Sequence, residues 1–247
     1  AYPDLPISLS SEILPEFREY ERTLVTVMNA YVRPGMRRYL DNFRHKLENE
    51  RFNSRLHIVR SDSGLMGLER AMESPVYTLL SGPAGGVAGA AHLSGLAGYP
   101  NALGFDMGGT STDVSLIQDG EPTSSRQTSL GSYPVKIPSL EVHSVGAGGG
   151  SIAHVPMTGA IRVGPESAGA APGPACYGKG GTAPTVTDAN VVLGRLPESL
   201  LGGRMPLDTK AAEEAVGALG RPLNLDMYQT AQGIIDIVNE NMFGALR

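Results

Sequence analysis

Tryptophan is absent and cysteine nearly so, with Cys176 alone among 247 residues. A single thiol excludes an intrachain disulfide framework and fits a reducing compartment, so a cytoplasmic location is expected. No apolar run approaches the roughly 18 residues a membrane-spanning helix needs, and no charged-then-apolar leader opens the chain. An initiator Met is also missing, because Ala1 comes first, and the chain reads as a fragment or a processed product. Basic charge is not in excess. A net charge of −5 gives no footprint for nucleic acid, and the one run rich in Lys and Arg, 33–60, is interrupted by acids and reads as a solvated helix face. The five histidines (45, 57, 92, 143, 154) show no metal-ligand spacing; His143 and His154 flank a glycine cluster, where a hairpin could bring them together, but each reads better as a satisfied structural histidine. The Walker pattern is missing as well, and G-x-G-x-x-G fails because Ser151 stands where its last glycine belongs, which disfavours a P-loop or a Rossmann site.

Apolar residues make up 41% of the chain and charged ones 18%, which suits a globular protein with a sizeable core. The first forty-odd residues read as helical. Pro15 fits a first helical turn, and Ile13, Phe17, Tyr20, Leu24, Met28 and Tyr31 form a core-facing stripe. Pro34-Gly35 should stop that helix, and Met36, Leu40, Phe43 and Leu47 start a second. Val76 to Leu80 reads as a strand. The small-residue stretch Ala84 to Ala97 reads as a helix able to approach a sheet or a ligand closely. Further strands are expected at 102–105, 114–117, within 123–130, and at 140–145 and 151–155, with a hairpin turn at Asp119-Gly120. The Gly/Pro-rich stretch 164–184 should be irregular. Two closing helices are expected, Ala211 to Leu219 and one carrying Met227, Ala231, Ile234, Val238, Met242 and Ala245.

The strongest chemical signal is Phe105-Asp106-Met107-Gly108-Gly109-Thr110-Ser111-Thr112-Asp113-Val114-Ser115. An apolar strand delivers an Asp, two glycines, three hydroxyls and a second Asp, and another apolar strand leaves. Glycines allow backbone N–H groups close to phosphate oxygens, and an Asp at a strand end can hold Mg²⁺, usually through water. A bare Asp-x-Gly-Gly is equally a polar hairpin tip. The extended string resembles the second phosphate loop of heat-shock chaperone ATPases, D-L-G-G-G-T-F-D-V-S, within the actin, sugar-kinase and chaperone superfamily. The order of elements agrees: a small-residue helix precedes the hairpin, and Gly146-Ala147-Gly148-Gly149-Gly150-Ser151 follows it.

Longer strings narrow the resemblance. They are Tyr20-Glu21-Arg22 with Asn29-Ala30-Tyr31-Val32, Ser81 to Val87 (SGPAGGV), Val145 to Ala153 (VGAGGGSIA), and the run from Arg162 to Leu196. Together they resemble the hydantoinase A/oxoprolinase family, including subunits of acetone and acetophenone carboxylases, over essentially the whole chain. The resemblance implies an α/β fold: a truncated ribonuclease H-like ATPase lobe, a mixed sheet with flanking helices. As one truncated domain, residues 1–247 would comprise a helical entry (1–52), a phosphate-loop sheet core (75–160) and a helical C-terminal part (205–247).

It further implies ATP and Mg as cofactors. The substrate would be a cyclic amide of the hydantoin or 5-oxoproline type, or a ketone, and a B-type subunit would be the partner. Carried over by position, Asp106 would organise Mg²⁺ or the nucleophile, and Asp113 would assist catalysis or merely cap the turn. Gly108, Gly109, Thr110 and Ser111 would bind phosphate, and Gly146, Gly148, Gly149 and Gly150 would form a close-approach loop. Glu141 and His143 precede that loop in a strand. Departures accompany the likeness. The chain contains one Asp-x-Gly-Gly loop where the family has two, it lacks the family's Gly-Gly-Ala-Gly-Pro adenosine motif, and it has Ser61-Asp62-Ser63-Gly64 where Ser-Asn-Gly-Gly is usual. One of three nucleotide-contacting elements is therefore present, and on its own this chain is expected to bind ATP weakly and turn it over negligibly. The rival readings are a chaperone or sugar-kinase type ATPase and a non-catalytic assembly module. Exposed apolar helix faces would favour a homodimer. Cys176 reads as a buried structural thiol, Asp188 as a helix N-cap, and Glu166 and Ser167 as loop residues beside a channel.

Overall fold

The structure, a computed structural model, describes residues 5–52, 54–131, 133–157 and 159–246. The opening Ala1–Asp4 and the final Arg247 lie outside the described residues. The chain forms two compact units, residues 1–104 with 115–142, and residues 105–114 with 143–247.

The first unit holds α1 (Ser10–Ile13), α2 (Glu19–Asn49), the hairpin β1 (His57–Val59) and β2 (Leu65–Gly67), α3 (Leu68–Glu73) and α4 (Ser81–Leu96). The strands β3 (Ala102–Met107) and β4 (Thr112–Gln118) follow, and both contribute residues to each unit. Short strands complete it: β5 (Glu121–Pro122), β6 (Ser124–Ser125), β7 (Thr128–Leu130), β8 (Tyr133–Val135) and β9 (Ser139–Leu140). Asp119 and Gly120 both take positive φ and close the β4–β5 hairpin, as the Asp-Gly signal requires.

Several expectations fail here, wholly or in part. Helix α2 runs through Pro34 without stopping. Val25 anchors it to Val76, Val135 and Ile137, and Leu40 anchors it to Met66, Leu68 and Met72. Packing on both sides of the proline outweighs the lost amide. Pro15 sits between α1 and α2 instead of in a first turn, because Ile13 and Leu14 are drawn into the core before the helix begins. The expected apolar stripe faces the core only in part, through Ile13, which is buried, and Met28, which packs against the Val25 cluster. Phe17, Tyr20 and Tyr31 are 96%, 64% and 85% exposed, while Val25 and Asn29 are buried.

Residues 75–78 form a 3₁₀ turn where a strand was expected. Pro75 favours the turn, and Asn29 Oδ1 accepts from Val76 N at 3.2 Å, which removes that amide from any strand ladder. In α4, Ala84 and Val87 pack on Leu140, while Gly82, Gly85, Gly89 and Gly95 face open space, so none of these four is where the helix meets the sheet.

The second unit contains the C-terminal half of β3, the N-terminal half of β4, and β10 (His143–Val145), which pairs antiparallel with β4. The hairpin β11 (Ser151–His154) and β12 (Arg162–Ser167) comes next. Then come α5 (Val186–Val192), the pair β13 (Ser199–Leu200) and β14 (Met205–Pro206), α6 (Thr209–Gly220) and α7 (Met227–Gly244). Val186, Ala189, Ala212, Val216, Ile234 and Val238 are all buried in one cluster, so the three helices share a core. Reciprocal caps start α5 (Thr185 with Asp188) and α7 (Asp226 with Gln229). Asp188 is thus the third residue of its helix, not the N-cap, which is Thr185.

His143 pairs with Val114 and His154 with Arg162, so the two histidines do not meet across a hairpin. Glu141 lies between strands, and Glu166 and Ser167 belong to β12 instead of a loop. Among the described residues, no helix is long and apolar enough to cross a membrane.

Candidate functional site

Everything in the sequence-derived site falls within the second unit. The chain leaves β3 at Met107, turns through Gly108, Gly109, Thr110 and Ser111, and re-enters at Thr112 on β4. Gly108 N donates to Ser111 O at 2.8 Å and closes the tip. Gly109 and Thr110 are exposed, and among the described residues their amides find no acceptor. Two exposed backbone donors without an intramolecular acceptor at a glycine turn are groups of the kind that can pair with an oxyanion.

The glycine turn lies directly beneath this tip. Gly149 N donates to Gly108 O at 3.0 Å, and Gly150 N donates to Gly109 O at 2.6 Å. The approach leaves no space for a side chain: a Cβ on Gly148 would meet Gly108 O and the carbonyl carbons of Gly109 and Thr110 at 2.8 Å each. Glycine is required there by contact and not by turn type. The third amide, Gly148 N, donates to Ser151 Oγ at 2.9 Å. The amides of Gly148, Gly149 and Gly150 are all spent inside the protein, so the close approach of this turn is to the hairpin backbone. Gly146 instead borders a cleft of about 500 Å³ lined by Val145, Arg162, Val163, Pro165, Ile237 and Asn241.

Two residues outside the sequence-derived set hold the glycine turn. Thr112, fully buried, donates through Oγ1 to Ala147 O at 2.6 Å and contacts Met242 Sδ of α7 at 3.4 Å. Thr187 donates to Gly149 O through both its amide and its hydroxyl, each at 2.8 Å. Neither carries a motif of its own. Thr112 looks like one more hydroxyl of the tip, and only the strand register turns it inward.

The two aspartates separate. Asp106 is exposed near the end of β3, and among the described residues it makes no hydrogen bond or ion pair. Asp113 is half-buried, faces Ser144 in the β4–β10 register and accepts from its hydroxyl. Thr110 Oγ1 and Ser167 Oγ lie 3.3 Å apart, and Ser167 Oγ also accepts from Gly169 N. No group of three His, Cys, Asp or Glu among the described residues is arranged to hold a metal alone. A single free carboxylate suits a cation that keeps most of its own water or takes phosphate oxygens, as Mg²⁺ does.

Away from the tip, Asp188 is fully buried. It accepts from Cys176 N at 2.8 Å, Ala175 N at 3.2 Å, Thr185 N at 2.9 Å and Thr185 Oγ1 at 2.8 Å. That set ties the Gly/Pro-rich stretch to α5. Cys176 is buried beside it. Burial first, and then the neighbouring Asp188 charge, push its thiol pKa far up, so it is an inert packing group.

The sequence model for hydantoinase/oxoprolinase matches residues 22–247. An uncharacterized protein of Methanocaldococcus jannaschii is 41% identical over 256 residues, covering 99% of this chain and 38% of that protein. Caprolactamase subunit alpha of Pseudomonas jessenii is 39% identical over 249 residues, covering 100% of this chain and 36% of that one. Among solved structures, nucleotide-free acetone carboxylase superposes with a TM-score of 0.88 at 31% identity, covering 96% of this chain and 34% of that one, which supports a mixed α/β fold. The chain therefore spans well under half the length of these relatives. It belongs to the hydantoinase/oxoprolinase family.

Proposed function

We propose that this chain carries one phosphate-binding hairpin of an ATP-dependent enzyme that opens a cyclic amide of the hydantoin or 5-oxoproline type. The observation that carries the reading is the hairpin tip, held on the glycine turn by two backbone bonds while the exposed amides of Gly109 and Thr110 have no acceptor among the described residues. ATP, when bound, would supply a phosphoryl group that turns an unreactive amide oxygen into a leaving group. Gly109, Thr110 and Ser111 would bind and orient the terminal phosphates, since a glycine turn lets backbone donors come close to phosphate oxygens and hydroxyls add further donors. Asp106 would hold Mg²⁺, mostly through water. Asp113 would keep the β4 end in register through Ser144 and act on chemistry only indirectly.

A lactam substrate is supported by the caprolactamase relative, and a ketone carboxylase reading by the acetone carboxylase structure. The sheet would belong to a ribonuclease H-like lobe, and a B-type subunit would complete the site. The chaperone or sugar-kinase reading is set aside by family membership.

The test is calorimetric titration of Mg-ATP into this chain, with Asp106→Ala as the control. Weak binding abolished by the substitution is expected. Equal binding by the variant, or none by either protein, would remove the hairpin as an independent phosphate site. In a full-length relative of this chain, ADP release driven by a lactam but not by a ketone with bicarbonate would select the first reading.

A further inference from the structure

We infer that Ser167 is a positioning residue of the hairpin tip: its hydroxyl fixes the side chain of Thr110, so that the Thr110 hydroxyl is left free to donate to a phosphate oxygen. The use on phosphate rests on the proposed function, whereas the hold on Thr110 does not. Ser167 is 57 residues from Thr110 in sequence, yet both belong to the second unit and their hydroxyl oxygens lie 3.3 Å apart.

Three observations account for that placement. The β11–β12 ladder pairs His154 with Arg162 and Ala153 with Val163, then shifts, and Ser151 pairs with Ser167. Continued without the shift, the register would set Pro165 opposite Ser151. A bulge of this kind bends the strand and re-aims the side chains beyond it. It includes Gly164, whose φ is +70° and whose Cβ, if present, would meet Gly146 O at 2.7 Å. Next, Gly150 leaves room for the serine: a Cβ there would lie 2.9 Å from Gly109 O and 3.0 Å from Ser167 Oγ. Finally, the backbone is tied on both sides of that glycine. Ala168 N donates to Gly150 O at 2.8 Å, while Gly150 N donates to Gly109 O at 2.6 Å, so one residue holds the end of β12 and the hairpin tip together.

Hydrogen-bond chemistry gives the contact a direction. Ser167 Oγ accepts from Gly169 N at 3.2 Å and keeps its own proton to donate. Thr110 is exposed, so an anion at the tip can take the Thr110 proton. The Ser167 proton then has Thr110 Oγ1 as its acceptor. Donation runs one way, from Gly169 N–H to Ser167, from Ser167 to Thr110 and from Thr110 to the anion, and each bond strengthens the next. A threonine without this neighbour would sample several staggered χ1 wells and lose that freedom on binding. In this way β12 serves the tip through a residue that the hairpin motif does not contain.

The test is nuclear magnetic resonance of the full chain with labelled threonine methyl groups, because three-bond couplings to the Thr110 methyl carbon report χ1. Without nucleotide, one rotamer is expected in the parent chain and an average over several in Ser167→Ala. Ser167→Thr, which keeps a hydroxyl, should restore the single rotamer. Calorimetric titration of Mg-ATP is the second readout. Ser167→Ala should weaken binding by roughly threefold to tenfold, the scale of one hydrogen bond. In Thr110→Val, which keeps the shape and lacks the hydroxyl, the same change should cost nothing further. A serine that served the fold alone would weaken binding equally in both backgrounds. The urea midpoint of Ser167→Ala should stay near that of the parent, because the amide it frees belongs to exposed Gly169 and turns to water. A parent chain that binds no Mg-ATP would count against the proposed function, and the couplings would then decide this inference. Averaging of Thr110 already in the parent, or a single rotamer kept in Ser167→Ala, would overturn it. So would Mg-ATP affinity equal to that of a binding parent in Ser167→Ala, or an equal loss in the Thr110→Val background.

Discussion

Replacing Gly148 by alanine places a methyl group 2.8 Å from Gly108 O and from the carbonyl carbons of Gly109 and Thr110. All three obstacles are backbone atoms, so no side-chain rotation relieves the contact. Either the hairpin tip or the glycine turn must withdraw. Withdrawal strains the bonds from Gly149 N to Gly108 O and from Gly150 N to Gly109 O. Overpacking costs about 1–3 kcal/mol, and weakening two hydrogen bonds adds about 1 kcal/mol, giving a loss of about 2–4 kcal/mol. Urea denaturation should show it as a lowered midpoint with an unchanged slope. Gly109→Ala is the matching control. A Cβ at Gly109 meets nothing within 4 Å, so stability should hold within about 0.5 kcal/mol while any Mg-ATP binding weakens. If Gly148→Ala unfolds at the same midpoint as the parent chain, the hairpin is not seated on the glycine turn, and the argument for a phosphate site at its tip fails with it.

Two further outcomes are expected. Ser63 adopts φ +63°, which an L side chain tolerates poorly. Ser63→Gly should therefore stabilise the first unit by about 0.5–1 kcal/mol in the same denaturation assay, and any destabilisation would contradict the strained geometry. Cys176 should resist iodoacetamide in the folded chain and react on unfolding; rapid labelling of native protein at pH 8 would refute its burial. Because its folded pKa is raised, the unfolded thiol ionises first. Its contribution to stability is complete below the ordinary thiol range near pH 8.5 and declines as pH rises beyond it. The raised phenol pKa of Tyr77, held up mainly by burial, acts in the same direction at still higher pH.

The sequence was most legible where local chemistry and tertiary packing agreed. The hairpin at 105–115, the Asp-Gly turn and the last two helices follow from periodicity and turn residues alone. It misled where a tertiary contact overrode a local preference. Pro34-Gly35 is a strong stop signal, yet Val25 and Leu40 are each buried in a cluster on either side of it, and the helix continues. Val76 to Leu80 has strand composition, but the side chain of Asn29, 47 residues away in sequence from Val76, takes the amide a strand would need. In the site, the glycines announced a close approach without saying to what. The inward turn of Thr112 and the double donation by Thr187 depend on register and on the packing of α5, which no local pattern encodes.

The two bonds that seat the hairpin tip on the glycine turn run between main-chain groups, and Thr112 Oγ1 adds one side-chain bond farther down the strand. Side chains at 109–111 take no part in the two bonds that hold it, so they can change without moving the tip. Where an anion would rest and how strongly it would be held are then separately adjustable: position is set by the peptide groups of 108–109 and 149–150, strength by whatever stands at 110 and 111. Within a family whose members act on different carbonyl compounds, a scaffold of that kind lets the chemistry drift while the geometry stays put.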